Sequence, residues 1–289
     1  MPETIETAFV QQYQNTMRIL CQQADSRLEG TTVPPLKMEG EYLYWERLGA
    51  TEAIEIGARH EDTPNIEPDH TRRRSTANPY VWATLLDRAD AGRLLIDPKG
   101  PYQTVAKNSM NRRKDRLILA ALGGNAYAGK AGGTTVALPA AQEIAHGDVG
   151  MTVGKLLSAK QILDEAEAPA EDRYFVCPSE SIVDLLGTVE VTSADYNTVK
   201  ALVAGTIDSF LGFKFIQTEL IYLENGSAAG GTWYNYAYCK GAIGFGKIEE
   251  VTVRLTERAD KNYSWQPYVS MDMGATRVED EMVVEVASV

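Results

Sequence analysis

One stretch limits the architecture of this chain more than any other: Pro101 to Gly124, PYQTVAKNSMNRRKDRLILAALGG, whose start, body and end all specify one long helix. Pro101 suits a first helical turn, where a missing N–H costs nothing, and Gly123 with Gly124 predicts a left-handed stop. Tyr102, Val105, Ala106, Ser109, Met110, Leu117, Ala120 and Ala121 recur at three-and-four spacing and predict one packed face. At about 1.5 Å per residue such a helix reaches roughly 30 Å, enough to cross a whole domain. The other segments have to be explained around a strut of that length.

Upstream, Ile5, Phe9, Tyr13, Met17, Leu20, Cys21, Ala24 and Leu28 predict an amphipathic helix over residues 4–28, capped by Thr4 and ended by Gly30. Thr31 to Pro35 reads as a stiff, extended connector. Residues 39–59 change period, alternating apolar and charged side chains as in Ile54, Glu55, Ile56, and predict strand. The stretch from Arg59 to Pro79 is polar and broken by Pro64, Pro68 and Pro79, the mark of a projecting loop. Residues 36–80 therefore read as a long hairpin leaving the body of the fold. A short amphipathic segment over 81–99 ends in Ile96, Asp97, Pro98 before the long helix.

Downstream, Asn125 to Pro139 is Gly-rich and reads as a hinge between two compact parts. Thr152 to Ala168 predicts a second helix. Beyond Arg173 the pattern is mixed: a strand at Tyr174 to Val176, a helix opened by Ser179 or Ser181, a helical stretch near Asp195 to Val203, and strands at Phe213 to Gln217 and Trp233 to Cys239. Ala242 to Val289 is almost all strand pattern, with turns expected at Asp260 to Asn262 and at Gly274. The fold class is α+β.

Composition decides what such a chain can bind. With 289 residues, 44% hydrophobic and 24% charged, it can bury a core without metal or disulfide. A net charge of −12 argues against capture of nucleic acid by overall attraction. One basic island stands out: Lys99, Lys107, Arg112, Arg113, Lys114, Arg116 and Lys130, with only Asp115 opposing. Three widely separated cysteines, Cys21, Cys177 and Cys239, make no disulfide framework or metal knuckle and read as buried thiols in a reducing compartment. No positively charged leader or membrane-length apolar run is present, so the expected site of synthesis and folding is the cytoplasm.

Several patterns touch on catalysis. Gly124 to Gly129 and Lys130 satisfy the GxxxxGK half of a phosphate loop, which would make a nucleotide-binding enzyme. That loop needs a strand before, a helix after and a hydroxyl next to the lysine, whereas here a helix precedes and Ala131, Gly132, Gly133 follow. His60, Glu61, Asp62, Glu67, Asp69 and His70 have metal-compatible chemistry at a spacing that matches no helical ligand pair. Asp164, Glu165, Glu167, Glu171 and Asp172 lack the glycine pattern of a calcium loop. The glycines of 241–247 fit bulges or close backbone approach, Asn225 to Ser227 reads as a turn, and His146 as structural. No GxSxG elbow is present. The expectation is a chain without catalytic residues, cofactor or metal.

The order of parts, and the runs Arg59 to Pro64, Arg72 with Arg73, Asp97 and Pro98 with Tyr102 and Ala106, Arg113 to Asp115, Ile118 to Ala126, Leu211 to Phe213 with Thr218 and Glu219, and Gly274 to Asp280, resemble the major capsid proteins of tailed bacteriophages with the Johnson fold. The resemblance spans residues 1–289. It implies an N-terminal arm (1–35), an extended loop (36–80), a peripheral domain (81–130 and 245–289) with the spine helix 101–123, and an axial domain (131–244). It implies a structural protein that self-assembles into pentamers and hexamers of an icosahedral shell around double-stranded DNA, with weak DNA contact. Further implied partners are a separate scaffolding protein, a portal protein and, optionally, a decoration protein, with no membrane. An encapsulin-like nanocompartment enclosing cargo proteins is the alternative on the same fold. Candidate intersubunit contacts are Phe9, Tyr13, Met17, Tyr42, Tyr44, Trp45, Arg72, Arg73 and Arg74. Arg112, Arg113, Lys114 and Arg116 are candidate contacts with DNA, scaffold or neighbours. Some relatives crosslink through a loop lysine; Lys37 lies at the hairpin base with nothing around it that implies this chemistry.

Overall fold

Three sheets are arranged about the long helix in a computed structural model that describes residues 19–37, 40–57, 59–87, 99–187, 209–221, 231–248 and 251–289. The expectations on Ile5 to Met17 (with candidate contacts Phe9, Tyr13 and Met17), on Ile96 to Pro98, on 195–203 and on Asn225 to Ser227 fall outside these residues.

The spine helix α1 spans Lys99–Gly123, so Pro101 sits inside its first turn. It lies across a sheet of order β1 (Val33–Lys37), β12 (Ile243–Lys247), β14 (Ser264–Arg277) and β13 (Thr252–Arg258), with β4 (Asn78–Ala83) on the other edge of β14. Ala106, Met110, Ile118, Leu119 and Leu122 bury against Phe245, Val269, Met271 and Met273. Two expectations about this helix change. Neither Gly123 nor Gly124 has positive φ; a Cβ at the first would run into the Tyr236 hydroxyl and at the second into the Ala120 carbonyl, so close approach explains the pair. The buried surface also includes Asn108, Asn111, Lys114 and Asp115, which an apolar stripe omits, while Ala120 is exposed.

The second sheet has the order β7 (Glu143–Ile144), β15 (Val283–Ser288), β11 (Trp233–Cys239), β8 (Arg173–Cys177), β10 (Phe213–Gln217), β9 (Ser209–Phe210). Strand alternation makes it the wall between two cores: Val176, Tyr236, Tyr238 and Val283 face the spine-helix core, while Phe175, Cys177, Ala237, Val284 and Val286 face helix α2 (Val153–Glu165). Thr152 caps that helix by accepting from Lys155 N. Leu156 and Leu163, fully buried beneath it, each contribute about 1.5–3 kcal/mol of transfer free energy. Lys155 Nζ donates to the carbonyls of His146, Val149, Gly150 and Ala287 at 2.7–3.1 Å, tying α2 to the closing strand. Helix α3 (Ser179–Gly187) follows β8 as the serines suggest.

The closing strand, expected in the peripheral part with 245–289, lies instead in this six-stranded sheet between β7 and β11. Gly274, expected in a turn, sits inside the 14-residue strand β14. A Cβ there would strike the Thr76 carbonyl, so the glycine serves strand crossing. The third sheet orders β2 (Tyr42–Leu48), β3 (His70–Thr76), β5 (Ala126–Ala128) and β6 (Thr134–Val136). The hairpin is real but its strand stops at Leu48, short of the expected 59. The Gly-rich stretch after the spine helix is a β5–β6 hairpin added to it, so a boundary at 130/131 cuts a paired unit.

Candidate assembly site

The hairpin is fastened at its base by a pleat. In register, Tyr44 faces Arg74, Trp45 faces Arg73 and Glu46 faces Arg72, so successive residues point to opposite sides of the sheet. Tyr42, Tyr44, Arg72 and Arg74 form the outer face. Arg72 lies over the Tyr44 ring at 5.4 Å and pairs with Glu46 at 2.9 Å. Arg74 lies between the Tyr42 and Tyr127 rings, at 4.7 and 5.3 Å, and donates to Ala131 O at 3.1 Å. Stacking of this kind holds the arginines flat against the rings.

Trp45 and Arg73 point inward, which removes them from the expected intersubunit set. Trp45 is buried over Gly244, whose missing Cβ makes the space. Arg73 donates to Asp280 Oδ2 at 2.5 Å, and Arg277 Nε donates to Oδ1 of the same carboxylate at 2.6 Å. Arg277, fully buried, also donates to the carbonyls of Leu122, Gly124 and Val136. One carboxylate and two guanidiniums thus join the hairpin, the end of the spine helix and the end of β14. Burial holds the Arg73 guanidinium below the ordinary arginine value, and Asp280 opposes that shift.

The basic island is also largely committed within the chain. Asp115, fully buried, accepts from Gln23 Nε2, from Ser26 Oγ at 2.5 Å and from the backbone N–H groups of Arg27 and Leu28 at 3.0 and 3.2 Å. Lys114 pairs with Glu29 at 2.8 Å, Asn111 donates to Ala24 O, and Arg112 donates to Gln22 Oε1 and Gln23 O. Residues 22–29 are therefore strapped across the helix by side chains, and 19–28 are not helical as expected: their backbone is held by Asp115 rather than by its own turns. Lys114 is buried and Arg112 half-buried; Arg113, over the Tyr80 ring at 4.4 Å, and Arg116 keep exposed surface. The sequence marks Asp115 only as a lone acid in a basic run and gives no sign of the partners it holds at residues 23–28.

Beyond the base, the backbone bond from Gly49 N to Asp69 O at 2.8 Å closes the loop. Leu48, Ile54, Ile56 and Ile66 stand exposed on it among carboxylates. Its acids and histidines form no metal-type cluster; among the described residues no three His, Cys, Asp or Glu come together in that way. Asp164 instead pairs with Arg173, and Asp172 with Lys214, which with its hydrogen bond holds the Asp172 carboxyl below its ordinary value. Across 124–130 the chain forms β5 and a turn with Gly129 at φ 91°, and β6 follows Lys130 where a phosphate loop needs a helix. Among the described residues no helix is long and apolar enough to cross a membrane.

A family model for phage capsid proteins matches residues 5–289. The chain belongs to the phage capsid protein family. The capsid subunit of cyanophage P-SCSP1u superposes with a TM-score of 0.76 over 99% of this chain and 94% of that one at 15% identity. The capsid of Ralstonia phage GP4 gives 0.74 over 97% and 95% at 9% identity, and that of Helicobacter pylori bacteriophage KHP30 gives 0.74 over 99% and 97% at 9% identity. No curated protein matches by sequence. The capsid fold expected from the order of parts is the fold present, and the chain is a structural capsid protein, a component of the virion shell, where it associates with copies of itself.

Proposed function

We propose that this capsid subunit assembles as pentamers and hexamers of an icosahedral shell around packaged double-stranded DNA, in the host cytoplasm and with a separate scaffolding protein and a portal. Its work in this reading is mechanical. The observation that supports this best is the hairpin, whose base is buried in the subunit through Arg73, Asp280 and Arg277 while its loop exposes Ile54 and Ile56. A rigid base with an apolar, exposed end suits an element that grips another subunit. In this reading the exposed Tyr42, Tyr44, Arg72 and Arg74 of the hairpin contact neighbours, and Arg113 and Arg116 contact scaffold, neighbour or, weakly, DNA. A net charge of −12 limits adhesion of the shell to packaged phosphate. Quantitative mass spectrometry of purified virions tests the reading: this chain should be the most abundant protein, and its absence would count against it.

A further inference from the structure

The inward face of the hairpin base carries more positive charge than its one carboxylate balances. Trp45, Arg47, Arg73 and Ser75 alternate onto that face of β2 and β3. The Trp45 ring lies over Gly244 of β12, and the Ser75 hydroxyl stands 3.0 Å from where a Cβ on Gly274 of β14 would sit, so both enter one layer between hairpin and sheet. The charged groups that act on Arg73 there are Asp280, Arg47 and Arg277. One carboxylate thus faces three guanidiniums, and each of its oxygens already accepts from an arginine, Arg73 or Arg277. Arg47 is half-buried and makes no ion pair among the described residues, and its charge pushes against that of Arg73.

Hydrogen bonding in the layer is unbalanced in the same sense. Trp45 Nε1, Arg73 Nε and Ser75 Oγ are buried and have no hydrogen-bond partner among the described residues. The two nitrogens can only donate, and the hydroxyl can turn to do so. Trp45 and Arg73 sit directly opposite in register, where Cβ atoms lie about 4.5–5.5 Å apart, and Ser75 is the next residue along on the same face. A buried donor left bare is costly, so each calls for an acceptor. A water molecule suits such a place when it can also donate its own hydrogens. An anion accepts from all three groups, donates nothing and supplies the missing negative charge.

We propose that this layer binds one small inorganic anion of the halide class, held by the N–H groups of Trp45 and Arg73 and the hydroxyl of Ser75, and neutralising Arg47. The site belongs to the single subunit and does not rest on the assembly reading. Its consequence is that the seating of the hairpin on the sheet depends on the anions in solution. With Ser75 1% exposed and the indole filling the space over Gly244, the layer favours a monatomic ion over phosphate or a carboxylate from another chain.

Chloride is the probe, in the free full-length subunit at constant ionic strength, with the bulkier glutamate anion as its replacement. Above half-saturation the urea unfolding constant should fall about tenfold for each tenfold rise in chloride, as one site on the folded state requires. The chloride NMR line should broaden with the folded subunit and sharpen again when bromide competes. Arg47→Gln removes the charge to be neutralised, so it should weaken chloride binding at least tenfold. In glutamate alone that variant should unfold no more readily than the unaltered chain, because the repulsion of Arg73 goes with the charge. Arg47→Lys should keep the chloride response. Equal stabilisation by chloride and glutamate would mean diffuse screening, and no response to either would mean a layer filled by water; each overturns the proposal. An undiminished chloride response in Arg47→Gln, or no line broadening by the unaltered subunit, does the same.

Discussion

Arg73 and Asp280, 207 residues apart in sequence, meet at 2.5 Å with the arginine side chain 6% exposed. Arg277 holds the other oxygen, so Asp280→Ala would leave two buried guanidiniums facing each other. Removing one member of a buried pair costs about 3–5 kcal/mol, and urea unfolding of the subunit should show a loss of that size. Arg72→Glu, at an exposed pair with Glu46, should change stability by less than about 1 kcal/mol. Equal effects of the two would refute the joint. It follows that charge reversal at Arg72, Arg73 and Arg74 together would report folding, and only Arg72 and Arg74 can be reversed to probe assembly.

Gly274→Ala should destabilise by about 1–3 kcal/mol, because the Thr76 carbonyl it meets is backbone and cannot swing aside. Gly133→Ala, with open space around it, serves as the control and should stay within about 0.5 kcal/mol. Thermal melts of the two variants decide the point.

Asp115→Asn keeps the shape of the side chain but sets an amide donor among the groups of Gln23, Ser26, Arg27 and Leu28 that now donate to it. Each lost charge-assisted bond is worth about 1.5–3 kcal/mol, so the strap should open far more often. Trypsin cleavage after the exposed Arg27 should accelerate at least tenfold, since proteolysis follows the open population. An unchanged rate would mean that Asp115 does not hold the strap.

High pH should weaken the subunit. Burial, with Glu219 adding to it, pushes the Cys177 thiol from 9.0 up to about 12, and burial also raises Cys239, Tyr236 and Tyr238. A raised folded-state pKa gives stability that is complete below the unfolded value and is lost as pH climbs to the folded one. Between pH 9 and about 12, Cys177 alone should therefore cost about 1.4 kcal/mol per pH unit. Urea midpoints across that range should fall in the unaltered protein and fall less in Cys177→Ala; a flat profile would contradict the burial argument.

Removing residues 51–67 should leave a folded, soluble subunit that forms no shells. The cut lies beyond the Gly49 to Asp69 bond and spares Trp45, Arg73 and Ser75, all buried in the subunit. A wider cut over 45–75 would take those residues and test stability instead. Circular dichroism and particle counts separate the two outcomes, and normal shells from the short deletion would show the loop to be dispensable.

What was legible in the sequence followed periodicity and punctuation: the spine helix, the second helix from Thr152, the hairpin, and the strands of the last fifty residues. What was not legible depended on partners distant along the chain. The run Arg72 to Arg74 reads as one basic patch, and only pairing with β2 shows that the pleat turns Arg73 inward to Asp280. Leu20, Cys21 and Ala24 sit at helical spacing, yet that backbone is held by Asp115, about ninety residues ahead. Gly274 looks like a turn until the Thr76 carbonyl is placed against it. Of the residues that carried the capsid resemblance, Arg73, Asp115, Gly274, Arg277 and Asp280 prove to be internal joints of the subunit, whereas Arg59 to Pro64 stand exposed on the loop.

The most direct measurement is electron microscopy of the full chain, expressed alone and with a candidate scaffolding partner. Closed shells built of pentamers and hexamers are the predicted result; a stable monomer under every condition tried, with no place in virions, would contradict the account.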